Sequence, residues 1–181
     1  FSLCVLDLNT SLSSSYLKMG AEWGKNPKEL AISCDVIITC LPSPQACSAV
    51  MEGSDGVIEG LSEGKIWLEM STTDFEEVRR IGELVTSANG QPMDCPVSGG
   101  CHRAATGNIS IFAGGERKTF ERALPVLKTL GRQILHTGEL GSASILKVAT
   151  NYLATTNLIS VCEALITLSL IHISEPTRPR I

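Results

Sequence analysis

"DVIITCLP", residues 35–42, is an apolar run of strand length closed by a proline. It shows no polar alternation, so neither face of such a strand would be wet. A continuous run of this kind fits a parallel strand buried on both faces. Working outward, strand-like and helix-like stretches alternate. Upstream lie "SLCVLDL" (2–8), a short run of β-type residues, and "SLSSSYLKMG" (11–20), a weak helix closed by Gly20. "NPKELAISC" (26–34) reads as a helix with Asn26 as N-cap and Pro27 at its first position. Downstream, "SPQACSAVM" (43–51) is helical and "GKIWLEM" (64–70) is a strand. "TTDFEEVRRIGELVTSANG" (72–90) is a helix capped by Thr73 or Asp74, with acids in its first turn and Gly90 past its end. "QPMDCPV" (91–97) and "GNISIFAGG" (107–115) read as strands, "ERKTFERALPVLKTLG" (116–131) as a helix and "RQILHTG" (132–138) as a strand. A long helix, "SASILKVATNYLATTNLISVCEAL" (142–165), follows. This alternation predicts an α/β fold built on a doubly wound, mostly parallel sheet.

Composition agrees with a globular chain: of 181 residues, 43% are hydrophobic and 19% charged. The formal net charge is -4 and no Lys/Arg cluster stands out, which argues against nucleic acid or an anionic membrane as partner. The seven cysteines form an odd set with no CxxC spacing, so neither a disulfide framework nor a metal site is expected. Reduced, cytoplasmic cysteines fit best, or the mitochondrial matrix in a eukaryote. No charged segment opens the chain in the manner of a signal peptide. The run "LISVCEALITLSLIHI" (158–173) contains Glu163 and is shorter than a membrane span requires.

Sheets of this kind bind ligands at the carboxyl ends of their strands. Three such ends carry candidate residues: Asp7, the pair Leu41–Pro42, and Ser71 with Thr72. An acidic residue after the second strand of a dinucleotide fold accepts hydrogen bonds from the adenosine ribose. Asp7 fits that role, and equally fits a solvated loop aspartate. The glycine-rich phosphate turn that should precede it is absent from the sequence, so the first strand and its turn are expected to be missing. "DCPVSGG" (94–100) ends in Ser98, Gly99 and Gly100. Adjacent glycines let backbone N–H groups approach an anion, although a plain flexible loop has the same composition. In "GELGSASILKVATN" (138–151) a glycine turn opens the long helix, and Lys147 and Asn151 share one face at i and i+4. A lysine among apolar neighbours either snorkels or serves as an acid/base whose pKa burial has lowered.

Together these motifs resemble the β-hydroxyacid dehydrogenase family, the group of 3-hydroxyisobutyrate dehydrogenase and tartronate semialdehyde reductase. The family's substrate signature is similar to Asp94 through Gly100 with Ala104 and Gly107, and its catalytic signature to Gly138, Gly141, Lys147 and Asn151. "DVIITCLP" and "EMST" also fall at the expected places, and the resemblance spans 1–167. It implies a Rossmann-like domain using NAD, with NADP the lesser choice. It further implies that Ser98, Gly99 and Gly100 cradle a small carboxylate substrate. Lys147 would exchange a proton with the substrate hydroxyl, and Asn151 would orient that oxygen. Asp7, Leu41, Pro42 and Thr72 would line the cofactor cleft. No metal is implied, and the parent would be a homo-oligomeric NAD(P)-dependent 3-hydroxyacid dehydrogenase.

Two rivals are an imine reductase of similar fold and a non-catalytic dehydrogenase-like module that binds a partner or oligomerises. Lys147 speaks against both. Ala143 and Thr150 stand where the family more often has Gly and Asn. The expected organisation is a partial dinucleotide-binding domain over 1–140, the start of a long helix over 141–167 leading to a missing all-helical domain, and a non-native tail over 168–181. The tail, "LSLIHISEPTRPRI", resembles translated sequencing adapter. Without its phosphate turn the chain by itself is expected to be inactive.

Overall fold

A computed structural model describes residues 1–173. The chain divides into two compact units, Phe1–Lys147 and Val148–Ile181. The first unit opens with β1 (Cys4–Val5), a 3₁₀ turn (Thr10–Leu12), α1 (Ser13–Lys18) and β2 (Glu22–Trp23). Next come α2 (Pro27–Ser33), β3 (Val36–Thr39), α3 (Pro44–Glu52), α4 (Val57–Gly60) and β4 (Ile66–Glu69). Then follow α5 (Phe75–Ser87), β5 (Gln91–Asp94), β6 (Val97–Ser98), α6 (Cys101–Ala104), β7 (Ile109–Gly114), α7 (Arg117–Leu130) and β8 (Gly131–Gly138). A long helix, α8 (Ser142–Ile173), begins in the first unit and runs into the second.

The caps explain several boundaries. Asn26 accepts the Glu29 N–H with Pro27 at the first helical position, and Ser43 caps α3 in the same way through Ala46. Of the two candidates before α5, Asp74 is the cap: its carboxylate accepts the Glu77 N–H.

β3, β4 and β5 pair in parallel with in-step register, Ile37 beside Trp67 and Trp67 beside Pro92. Every residue of β4 is buried. Successive residues of a strand face opposite sides, and each side of β4 joins its own core. Ile66 and Leu68 pack with Met93, Ile111, Phe120 and Leu127, which brings α7 onto one face. Trp67 packs with Ile37, Met51, Ile81 and Val85, which brings α3 and α5 onto the other. The sheet is therefore wound on both faces.

Two features depart from the expected sheet. It is mixed: β7 pairs antiparallel with β5 and β6, and parallel with β8. β6 and β7 are joined by the short segment 99–108, which is too short for the crossover of about a dozen or more residues that parallel neighbours need. Moreover, β1 and β2 form a separate two-stranded parallel sheet with no ladder to the six-stranded one. In dinucleotide folds the first strand lies between these two groups, so the division is the one expected of a sheet lacking that strand.

The helical end also differs from the sequence reading. The stretch 168–173 continues α8, because its leucines and isoleucines are compatible with helix; the rest of the expected tail, 174–181, lies outside the described residues. Starting at Ser142, α8 is long and apolar enough to cross a membrane by length and composition alone. The shorter run read from the sequence omitted its first four turns. Finally, the first unit extends to Lys147 rather than ending at residue 140. The first turns of α8 are hydrogen-bonded to β5, as described below.

Candidate active site

Of the candidate residues, Leu41 with Pro42, Thr72, and Ser98 with Gly99 and Gly100 lie at or just beyond the carboxyl ends of β3, β4 and β6, whereas Lys147 and Asn151 lie on α8. β3 ends at Thr39 and β4 at Glu69, and the loops beyond them are tied together: the Leu41 N–H donates to Ser71 Oγ at 2.8 Å. Pro42 and Thr72 are exposed on these two loops, and Leu41 is half-buried. Beneath them lies a buried network that sequence reasoning missed. Glu69, 1% exposed, accepts the Ser71 N–H at 2.7 Å and the Cys47 thiol at 3.0 Å, and also the Thr39 hydroxyl. Trp67 Nε1 donates to Thr39 Oγ1 at 2.8 Å. Burial first, and then the Glu69 carboxylate, push the Cys47 thiol far above its ordinary pKa, so it stays a neutral donor. A charged residue closing the otherwise apolar "IWLE" (66–69) is the available signal for this network.

Asp7 lies two residues beyond β1, exposed, with Oδ1 accepting the Asn9 N–H at 2.7 Å. Its carboxylate stands just beyond the carboxyl end of β1. Thr73 Oγ1, beside Thr72, is buried and has no hydrogen-bond partner among the described residues. The unpartnered Thr73 hydroxyl beyond β4 and the exposed Asp7 carboxylate beyond β1 both fit hydrogen bonding to a dinucleotide. The glycine turn that would receive the diphosphate is not among the 181 residues.

Ser98 closes β6, opposite Ser110 of β7. Gly99 and Gly100 follow with φ of 135° and 79°. These are backbone conformations that other residues rarely adopt, so the pair of glycines is a conformational requirement of this turn. Asp94, which opens the same motif, points elsewhere. It is fully buried, and its carboxylate accepts the Gly141 N–H at 2.7 Å, the Ser144 N–H at 2.7 Å and the Ser144 hydroxyl at 3.0 Å. The two signature motifs are thus joined through Asp94.

Lys147 is 8% exposed. Ala143 and Ser144 are buried on the same helical face, whereas Ile145 and Val148 are exposed. Desolvation holds the Lys147 ammonium below its usual pKa, because burial disfavours the charged form. Ala143 is fully buried, so the methyl that replaces the family's more usual hydrogen packs inside the first unit. Asn151 lies further along α8 in the second unit and is exposed. All seven cysteines are free, and among the described residues no three His, Cys, Asp or Glu side chains cluster as metal ligands.

A two-faced sheet with candidate residues at its carboxyl strand ends defines a dinucleotide-binding α/β domain. The chain belongs to the family of the NAD-binding domain of 6-phosphogluconate dehydrogenase, which matches residues 1–138. It is 30% identical over 164 residues to a probable mitochondrial 3-hydroxyisobutyrate dehydrogenase of Dictyostelium discoideum, covering 91% of this chain and 51% of that protein. Among solved structures, the 3-hydroxyisobutyrate dehydrogenase of Mycobacterium tuberculosis, with L-serine, superposes with a TM-score of 0.86 at 26% identity over 94% of this chain and 57% of that one. An imine reductase of Myxococcus stipitatus, a variant in complex with NAD+, shares the fold with a TM-score of 0.83 at 19% identity, over 91% of this chain and 56% of that one. The chain spans about half the length of the curated dehydrogenases it matches.

Proposed function

We propose that this chain is the nucleotide-binding part of an NAD-dependent oxidoreductase that oxidises a small 3-hydroxy acid or reduces the corresponding semialdehyde. The observation that carries the reading is the buried Lys147 at the head of α8, its ammonium destabilised by desolvation. A lysine so placed is neutral over a wider pH range than a solvated one, which suits it to take a proton from a substrate hydroxyl. Ser98, Gly99 and Gly100 hold the substrate carboxylate through a hydroxyl and backbone N–H groups. Asn151 keeps the orienting role that the family resemblance assigns to it. The bound nicotinamide supplies the hydride chemistry. This reading makes the parent a homo-oligomer of the cytoplasm or mitochondrial matrix, with neither nucleic acid nor membrane as partner. The test is turnover of a full-length enzyme carrying this domain, assayed with small 3-hydroxy acids and with cyclic imines. Faster turnover of imines than of any 3-hydroxy acid would overturn the proposal.

Asp7 favours NAD over NADP. Its carboxylate repels a 2′-phosphate, and Leu8 and Asn9 follow it rather than an arginine. The same enzyme should show the higher kcat/KM with NAD, and Asp7→Ala should narrow the difference. A preference for NADP in the unmodified enzyme would contradict this assignment.

A further inference from the structure

We infer that Asp94 is a positioning residue, whose carboxylate clamps the first turn of α8 and so keeps Lys147 on the buried face of that helix. The inference rests on the acid/base reading of Lys147 and adds to it a residue that touches neither substrate nor cofactor. The start of a helix leaves N–H groups that need acceptors. Gly141 has no side chain to offer, and the Ser142 hydroxyl is engaged with Thr137 Oγ1 at 2.7 Å. Asp94 supplies the acceptor instead, from a strand end 50 residues earlier than Ser144. One oxygen takes the Gly141 N–H and the other takes both donors of Ser144. A negative group at this end also complements the helix dipole. Ser144 and Lys147 are three residues apart and share a face. Fixing Ser144 against β5 therefore fixes the rotation of the helix that buries Lys147.

The surroundings are shaped for this clamp. A Cβ on Gly114 would meet Asp94 Oδ1, with Ser142 Oγ and the Glu139 carbonyl each at 2.8 Å. Gly114 is needed for space rather than for an unusual φ. Gly141 has φ of 93°, and a Cβ there would lie 2.5 Å from the Phe75 ring. The charged and titratable groups on the elements around this turn are Asp94 from β5, Glu139 in the turn itself, Arg79 and Glu83 from α5, Glu116 and Arg117 at the start of α7, and His136 from β8. Among them Asp94 alone bonds the helix N–H groups.

The test is the pH profile of hydroxy-acid oxidation in a full-length enzyme carrying this domain. Asp94→Asn keeps one acceptor oxygen but turns an NH₂ toward donors, so the bonds to Gly141 and Ser144 cannot all persist. The loosened helix lets water reach Lys147, and its pKa rises toward the solvated value. Below both pKa values, each unit of rise lowers the neutral fraction about tenfold. The expected result is a loss of turnover of roughly tenfold or more near neutral pH, an acidic limb moved to higher pH, and recovery at alkaline pH, with KM for NAD unchanged. Gly114→Ala, which displaces Asp94 without altering its charge, should move the limb the same way, and Ser144→Ala should move it less. A uniform loss at every pH with the limb in place, or an unchanged profile, would overturn the inference. Such a result with Lys147→Ala still inactive would leave the lysine assignment standing. Normal turnover of Lys147→Ala would instead remove the reading beneath both.

Discussion

Lys147→Ala is expected to lower turnover by roughly two to four powers of ten, the usual contribution of a general acid/base, while NAD still binds. In the assigned roles Lys147 meets the substrate hydroxyl whereas Asp7, Leu41, Pro42 and Thr72 line the cofactor cleft, so cofactor affinity is expected to stay unchanged. In the oxidation direction the neutral amine is the active form. Turnover of the unmodified enzyme should therefore rise with pH through the Lys147 pKa, which burial has lowered. In the reducing direction the ammonium is the donor, and the dependence should run the other way. The alanine variant should lose this limb in both directions. Lys147→Arg should not restore oxidation, because a guanidinium stays protonated and cannot accept the proton. Steady-state kinetics against pH, with NAD affinity measured separately, decide the matter. Near-normal turnover of the alanine variant would mean that proton transfer belongs to another group.

Trp67→Ala should cost about 3–5 kcal/mol of folding stability, the range for emptying a large aromatic site in a core. Trp67 is fully buried in the central β4 strand and packs on the face covered by α3 and α5. Its indole N–H also bonds Thr39 Oγ1, which in turn donates to Glu69. Removal leaves a cavity and weakens the network under the Leu41 and Ser71 loops at once. Trp67→Phe keeps most of the packing and loses the N–H, for which about 1 kcal/mol is expected. Denaturant unfolding separates the two through the midpoint, with the slope unchanged. A loss below about 1 kcal/mol in the alanine variant would show that the sheet centre collapses around the missing ring.

The elements that depend on nearest neighbours in sequence are legible in the sequence. Asn26 with Pro27, Asp74 with its following acids, and the uninterrupted 35–42 run each state their conformation locally. The long-range arrangement is less so. A short, largely apolar run such as Ile109 to Gly114 fits an antiparallel partner as readily as a parallel one. Asp94 shows the limit most clearly. Its motif marks a site, yet its side chain leaves the motif and caps a helix far along the chain, a pairing that no periodicity encodes. Lys147 and Ser98 could be picked out by resemblance. The burial that makes Lys147 chemically useful comes from the turn of α8 that also buries Ala143 and Ser144, which no local pattern states.

The separate ladder of β1 and β2 has a kinetic consequence. Only two residue pairs, Cys4 with Glu22 and Val5 with Trp23, join these strands, whereas β4 is held by ladders on both sides. Amide protection follows the number of buried bonds that must open together. Hydrogen exchange should therefore be fast at Val5 and Trp23 and slow at Trp67 and Met93. Asp7 follows this short ladder, so the carboxylate assigned to the ribose is expected on a less protected segment than Asp94, which ties the start of α8 to β5.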